Sequence, residues 1–127
     1  MYTIIMQSNK WGGHAWEFYH TVTFNYPISP TIEDQKNIKG MFDYLGPNLP
    51  CSICKESFAF FYKYIPIDDF LSDRYGVVYW LYSVHTLVNH KLNQPNISFS
   101  TVIRKYEALR VSNEEPVTVP EITPARL

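Results

Sequence analysis

The sequence predicts an all-α fold, a small helical bundle in one domain. Three observations carry this reading. Apolar residues recur at i, i+3 and i+4 spacing along most of the chain. Proline and glycine clusters cut it into segments of helical length. No alternation of strand and helix patterns suggests a parallel sheet, and no internal repeat is visible. The chain has 127 residues, a formal net charge of −1 and 17% aromatic residues, enough length to bury a core without a covalent staple.

Taken in order, the first helix is expected from about Trp11 to Tyr26, where Pro27 and Pro30 end it. Thr31 and Asp34 resemble a capping box, so a second helix should run from Ile32 to Leu45, with Ile38, Met41, Phe42 and Leu45 on one face. Gly46-Pro47 is expected to break it. Cys51 should open the third helix, which Pro66 stops. Strand competes for "FAFFYKYI" because aromatics favour sheets, but Cys51, Cys54, Phe58, Phe61 and Ile65 share a helical stripe. "PIDDFLSDRYG" reads as a loop with at most a short helical turn. The fourth helix should run from Val77 to Leu92, and a fifth, capped by Ser98 or Ser100, should end near Leu109. The last segment, 110–127, holds Pro116, Pro120 and Pro124 and reads as an extended or disordered tail to a domain covering 1–109.

Composition excludes several functions. The chain has no basic block for nucleic acid or a membrane surface, and no apolar run long enough to span a bilayer. Nothing at the start reads as a signal peptide, so the expected setting is cytoplasmic.

The two cysteines, Cys51 and Cys54, form a single CxxC. In a reducing compartment that motif points to metal or redox chemistry. At a helix start, the backbone N–H groups and the helix dipole favour a thiolate at Cys51, and Lys55 adds a nearby positive charge. Zinc is the rival, since His85 and His90 would complete Cys2His2. Five residues apart on a helix, however, they point about 140° apart, so no metal site is assigned. A buried, inert cysteine pair is the third possibility. A dithiol that is oxidised repeatedly needs an electron sink, which two cysteines do not provide. Two stretches suggest a cofactor slot: Trp16 and His20 share one helical face, and His85, Val88, Asn89 and Leu92 share another. Together they offer flat apolar walls with a few hydrogen-bonding groups. No GxGxxG follows a strand, so a Rossmann unit is not indicated.

The order of the motifs W-G-x-x-x-W-x-x-x-H (Trp11 to His20), L-P-C-x-x-C (Leu49 to Cys54) and H-x-x-V-N-x-x-L-x-x-P (His85 to Pro95) resembles the Erv/ALR family of FAD-linked sulfhydryl oxidases, in particular its small viral members. The resemblance covers about residues 11–109. It implies a four-helix bundle with a short fifth helix, usually a homodimer, with FAD bound noncovalently beside the CxxC. It also implies that protein dithiols are the substrates and oxygen the electron acceptor, giving hydrogen peroxide. By the same resemblance Cys51 is the more exposed, substrate-facing cysteine and Cys54 the flavin-proximal one. Trp11, Gly12, Trp16, His20, Tyr26, His85, Asn89, Lys91, Leu92 and Tyr106 fall on or beside cofactor-contact positions. Host cytoplasm or a virion assembled there is the corresponding location. A helical scaffold that kept the fold without catalysis is the alternative, motivated by departures from the family pattern: Thr86 stands for Asn, Gln94 for a basic residue, and Gly13 for an Arg of some members. Tyr82 and Phe99 occupy the positions of a structural disulfide, so packing must replace that link. A third cysteine for a shuttle disulfide is absent.

Overall fold

A computed structural model describes residues 7–110. Its elements are α1 (Ser8–Phe24), α2 (Ile32–Asn48), α3 (Ser52–Tyr64), a short 3-10 turn (Ile67–Phe70), α4 (Arg74–Lys91) and α5 (Phe99–Glu107). Among the described residues there is no strand, and no helix is long and apolar enough to cross a membrane. The expected all-α bundle, four helices and a short fifth, is what the chain forms. The expectation for the tail falls mainly on residues 111–127, outside the described residues. Arg110 belongs to the folded body: it donates to the Phe24 carbonyl at 2.7 Å and to Glu107 at 2.9 Å.

Caps set most of the boundaries. Thr31 Oγ1 accepts from the Asp34 N–H while Asp34 accepts from the Thr31 N–H, completing the expected capping box. Ser98, rather than Ser100, caps α5. The fourth helix begins three residues before Val77, because Asp73 accepts from the Gly76 N–H at 2.7 Å and so caps it. It ends where Asn93 takes φ 56°, the left-handed conformation asparagine tolerates. The first helix starts at Ser8 without a side-chain cap, which is why no start signal precedes Trp11.

The expected break at Gly46-Pro47 does not occur, and α2 continues to Asn48. Proline in a last turn removes one backbone donor, and a preceding glycine has no Cβ to clash with the pyrrolidine ring. Gly46 has a second role here, because a Cβ there would stand 2.7 Å from Cδ1 of the buried Phe58 ring. This absence of a side chain lets α2 and α3 approach each other, and it positions the cysteine helix.

Two apolar clusters form the core. The larger joins Ile38, Phe42, Phe58, Ile67, Trp80, Leu81 and Val84, with Trp11, Trp16 and Cys54 packed against it. Trp80 is fully buried, and its Nε1–H donates to the Ile65 carbonyl at 2.7 Å, tying α4 to the end of α3. The smaller cluster seats α5 through Val102, Ile103 and Tyr106 against Phe24 and Val78. Beside it Glu107 is buried but satisfied by Tyr75, at 2.8 Å, and by Arg110. The link expected from packing between Tyr82 and Phe99 is present. Their ring centroids lie 5.0 Å apart, and the Tyr82 hydroxyl donates to the Ile97 carbonyl at 2.7 Å.

Gly46→Ala should destabilise the protein by about 1–3 kcal/mol through overpacking against Phe58, measured by urea unfolding. Unchanged stability would show that Phe58 yields freely.

Candidate functional site

Helix α1 packs chiefly on α4, and α5 closes over their junction. There Gly13, Trp16, Glu17 and His20 of α1, Tyr82, His85, Thr86 and Asn89 of α4, and Thr101, Val102, Lys105 and Tyr106 of α5 surround a cavity of about 230 Å³. Spacing explains the convergence: Trp16 and His20 lie four apart, as do His85 and Asn89, and Val102 and Tyr106. Five sequence-predicted residues, Trp16, His20, His85, Asn89 and Tyr106, thus meet at one site.

The aromatic groups are tightly arranged. The Trp16 and His85 rings stack with centroids 3.8 Å apart and planes at 6°. His20 Nε2 and His85 Nδ1 are 2.9 Å apart, sharing one proton. On its other side the His20 ring stacks with Tyr106 at 5.1 Å. Burial first, then the nearby His85 and Lys105, lowers the His20 pKa to about 3. Burial and Lys105 lower that of His85 to about 4. Both imidazoles are therefore neutral near pH 7. With Nε2 engaged, the buried Nδ1 of His20 has no hydrogen-bond partner, the only such side-chain atom among the described residues. An orphaned polar atom in a buried aromatic site is what a ligand with a complementary group would satisfy.

The cysteines stand on the neighbouring α3. Cys51 is its N-cap, and the Cys51 sulfur accepts from the Cys54 N–H at 3.2 Å. Neither is in a disulfide. Burial pushes the Cys51 thiol up, but hydrogen bonds from the Cys54 side chain and from the Cys54 and Ile53 N–H groups outweigh it, leaving Cys51 below the ordinary thiol value. Burial, the hydrogen bond to Cys51 and the charge on Cys51 push Cys54 up to about 11, and Lys91 acts in the opposite direction. One thiol is thus poised to ionise while the other keeps its proton.

Two expectations require correction. Cys51 is not the more exposed cysteine: it is only 6% exposed, while Cys54 is partly buried. As an N-cap, its side chain folds back over the first turn. Lys55 is not the cation acting on the pair, because it lines the face toward α2, and the charge that lowers the Cys54 pKa is that of Lys91 on α4.

The remaining predicted residues are not on the cavity wall. Trp11 packs on the larger core cluster, beside which Gly12 is half-buried. Tyr26 is buried, and its hydroxyl donates to the Leu71 carbonyl at 2.7 Å. Leu92 is 58% exposed beyond the end of α4. Lys91 is exposed, and its ammonium donates to Ser57 Oγ. His90 is exposed while His85 is inside, so the two do not converge. Among the described residues no group of three or more His, Cys, Asp or Glu is arranged to hold a metal. Sequence reasoning missed Glu17, Thr101, Val102 and Lys105. The one available signal was the shared helical face of Val102 and Tyr106. A larger trough of about 570 Å³ lies between α2 and α3, lined by residues such as Gly46, Lys55, Phe58 and Tyr62. It contains no orphaned polar atom, and we place the candidate site in the smaller, aromatic cavity.

The Erv1/Alr family model matches residues 13–107, a span that contains every element of this cavity and the CxxC. The chain belongs to the Erv1/Alr family. Among other family proteins, one of Acanthamoeba polyphaga mimivirus, named "Probable FAD-linked sulfhydryl oxidase R368", is 32% identical over 103 residues, covering 80% of this chain and 72% of that one. The FAD-linked sulfhydryl oxidase ERV1 of Arabidopsis thaliana is 29% identical over 83 residues, 65% of this chain and 42% of that one. The fold matches the crystal structure of the FAD binding domain of Erv1 from Saccharomyces cerevisiae with a TM-score of 0.70 at 24% identity, covering 80% of this chain and 94% of that one.

The buried imidazoles make stability pH-dependent with a definite sign. Unfolded histidines take protons near pH 6.5, whereas His85 and His20 resist until about 4 and 3. Their contribution is complete above about pH 6.5 and is lost as pH falls through the folded values. Unfolding free energy should therefore decline from about pH 6.5 to 5, and His20→Leu should flatten that decline in urea titrations. An equal slope in the variant would show that His20 does not titrate as described.

Proposed function

We propose that this protein is an FAD-dependent sulfhydryl oxidase that converts protein dithiols to disulfides through the Cys51/Cys54 pair. The reading is supported most by one observation: the orphaned His20 Nδ1 in a neutral, aromatic-walled cavity of a chain of the Erv1/Alr family. The residues present fit the cofactor. Trp16 and Tyr106 supply flat apolar surface, His20 Nδ1 lacks a partner, and Asn89, Thr86 and Thr101 bring further polar groups to the wall. At about 230 Å³ the cavity holds part of a dinucleotide, and a ring lies between Trp16 and His85 only if their stack opens. FAD, when bound, supplies a two-electron acceptor for the dithiol and a route from there to oxygen, with hydrogen peroxide as product.

The chain's own residues perform the thiol chemistry. A substrate thiolate attacks the Cys51 sulfur of the oxidised pair, and a second substrate thiol then resolves the mixed disulfide. The product leaves as a disulfide and the pair remains as a dithiol. The N-cap position of Cys51 favours its thiolate, and the hydrogen bond that the Cys54 thiol gives to Cys51 keeps the second proton in place. Because Cys51 is buried, entry is by way of the exposed Pro50 and Ile53 beside it. Cys54 packs against the core cluster that also carries Trp16, which supports its assignment to the flavin side. Protein dithiols as substrates, oxygen as acceptor and assembly as a homodimer complete the proposal. Action in a host cytoplasm or virion is part of it, supported by the mimivirus relative.

Cys54→Ser should keep the flavin absorption and lose dithiol-dependent oxygen consumption, whereas His85→Ala should lower FAD affinity by roughly 5- to 150-fold, as expected for an unpaired buried group. Undiminished oxygen uptake by Cys54→Ser in an oxygen electrode, or full occupancy in His85→Ala, would contradict these roles.

A further inference from the structure

The cation beside the cysteine pair comes from another helix. Cys54 and Ser57 are three residues apart on α3, so their side chains share a face. Ser57 Oγ accepts a hydrogen bond from the ammonium of Lys91, which arrives from the last turn of α4. That bond bridges α4 to α3 one turn beyond Cys54. We propose that Lys91, tethered by Ser57, is a positioning residue that stabilises the thiolate leaving on Cys54 when a substrate opens the disulfide. The inference rests on the oxidase reading for its place in the reaction, but the Lys91–Ser57 tether stands on geometry alone.

The chemistry balances within the thiol exchange. The substrate sulfur forms a bond to Cys51 Sγ as the Cys51–Cys54 bond breaks. The bonding pair leaves on Cys54 as a thiolate, and no external oxidant or reductant enters. Exchange is faster when the leaving thiol is more acidic. Cys54 is a poor leaving group from its surroundings alone, because burial raises its pKa, and Lys91 opposes that. The further rise caused by Cys51 belongs to the reduced pair, since Cys51 is bonded to the substrate sulfur at this step. Among the described residues, the charged and titratable groups near Cys54 are few. On α3 they are Cys51 at the N-cap and the exposed Lys55 and Glu56. From α4 they are Lys91 and the exposed His90. From α2, Asp43 is engaged by the Tyr62 hydroxyl at 2.5 Å and by Lys39 at 3.5 Å, two helical turns beyond Cys54. Of these, Lys91 is the cation that acts on the Cys54 thiol, and Cys51 adds charge only when it is itself a thiolate.

The test uses the full chain carrying Cys51→Ser, which leaves Cys54 as the single thiol and keeps an oxygen at the N-cap. Iodoacetamide alkylation rates across pH report the Cys54 thiolate, with neither flavin nor oxygen required. Adding Lys91→Gln should move the midpoint up by roughly half to one pH unit, a loss of roughly 3- to 10-fold in rate at a fixed pH below it. Lys91→Arg should restore the midpoint, and Ser57→Ala should give a partial shift. Raising salt should shift the Lys91 protein upward and leave the Gln variant in place, since an exposed ammonium is screened. That arm needs no second substitution, so it decides the matter even if Lys91→Gln folds poorly. An unchanged midpoint in Lys91→Gln, or no salt dependence in the Lys91 protein, overturns the proposal. A colourless protein that oxidises no dithiol would instead defeat the oxidase reading and leave this midpoint result standing.

Discussion

The contact on which the rest depends is the flat stack of Trp16 on His85, with His20 sharing a proton with that same imidazole. Two histidines inside an apolar bundle are costly unless each gives the other a partner. The pair achieves this in the neutral state, and it fixes α1 against α4 at one register. It also leaves one nitrogen over. The unsatisfied His20 Nδ1 results from using Nε2 to hold the helices together. A structural bond and an available ligand contact thus arise from a single ring.

Helix α4 carries this constraint outward. Trp80, one turn before Val84, anchors α4 to the end of α3 through the Ile65 carbonyl, while Lys91 grips the middle of α3 through Ser57. These two attachments seat the cysteine helix on α4, and Gly46 holds it close to α2 by leaving room for the Phe58 ring. The cysteine pair is electrostatically uneven as a result. Cys51 caps the helix and receives hydrogen bonds, while Cys54 faces the apolar core and gives one. The proton distribution of the dithiol follows from where α3 begins, and that start follows from Pro50 and the cap.

Much of this was legible in the sequence, because helical spacing and caps are local. Thr31 with Asp34, and Ser98, mark the starts of α2 and α5 as the backbone hydrogen bonds confirm. The four-residue spacings of Trp16/His20 and His85/Asn89 placed those side chains on single faces, and the faces meet. What was not legible depends on distant partners. Gly46-Pro47 reads as a break, yet α2 passes through it because the close approach of Phe58 requires glycine and a last-turn proline costs little. Lys91 reads as a neighbour of the cofactor positions, but a long flexible side chain goes to the acceptor it meets, and Ser57 is far away in sequence. The burial of Cys51 depends on how its side chain folds over the helix end, which the CxxC spacing alone does not specify.

The central claim is that the dithiol on α3 and the aromatic cavity between α1, α4 and α5 form one redox unit. The most direct measurement is the visible absorption of the purified protein during anaerobic titration with dithiothreitol. A bound flavin with absorbance near roughly 450 nm that bleaches on dithiol addition, and fails to bleach at a comparable rate when both cysteines are serine, is the predicted result. Bleaching at the same rate without the cysteines, or a protein that binds no flavin at all, would contradict the account.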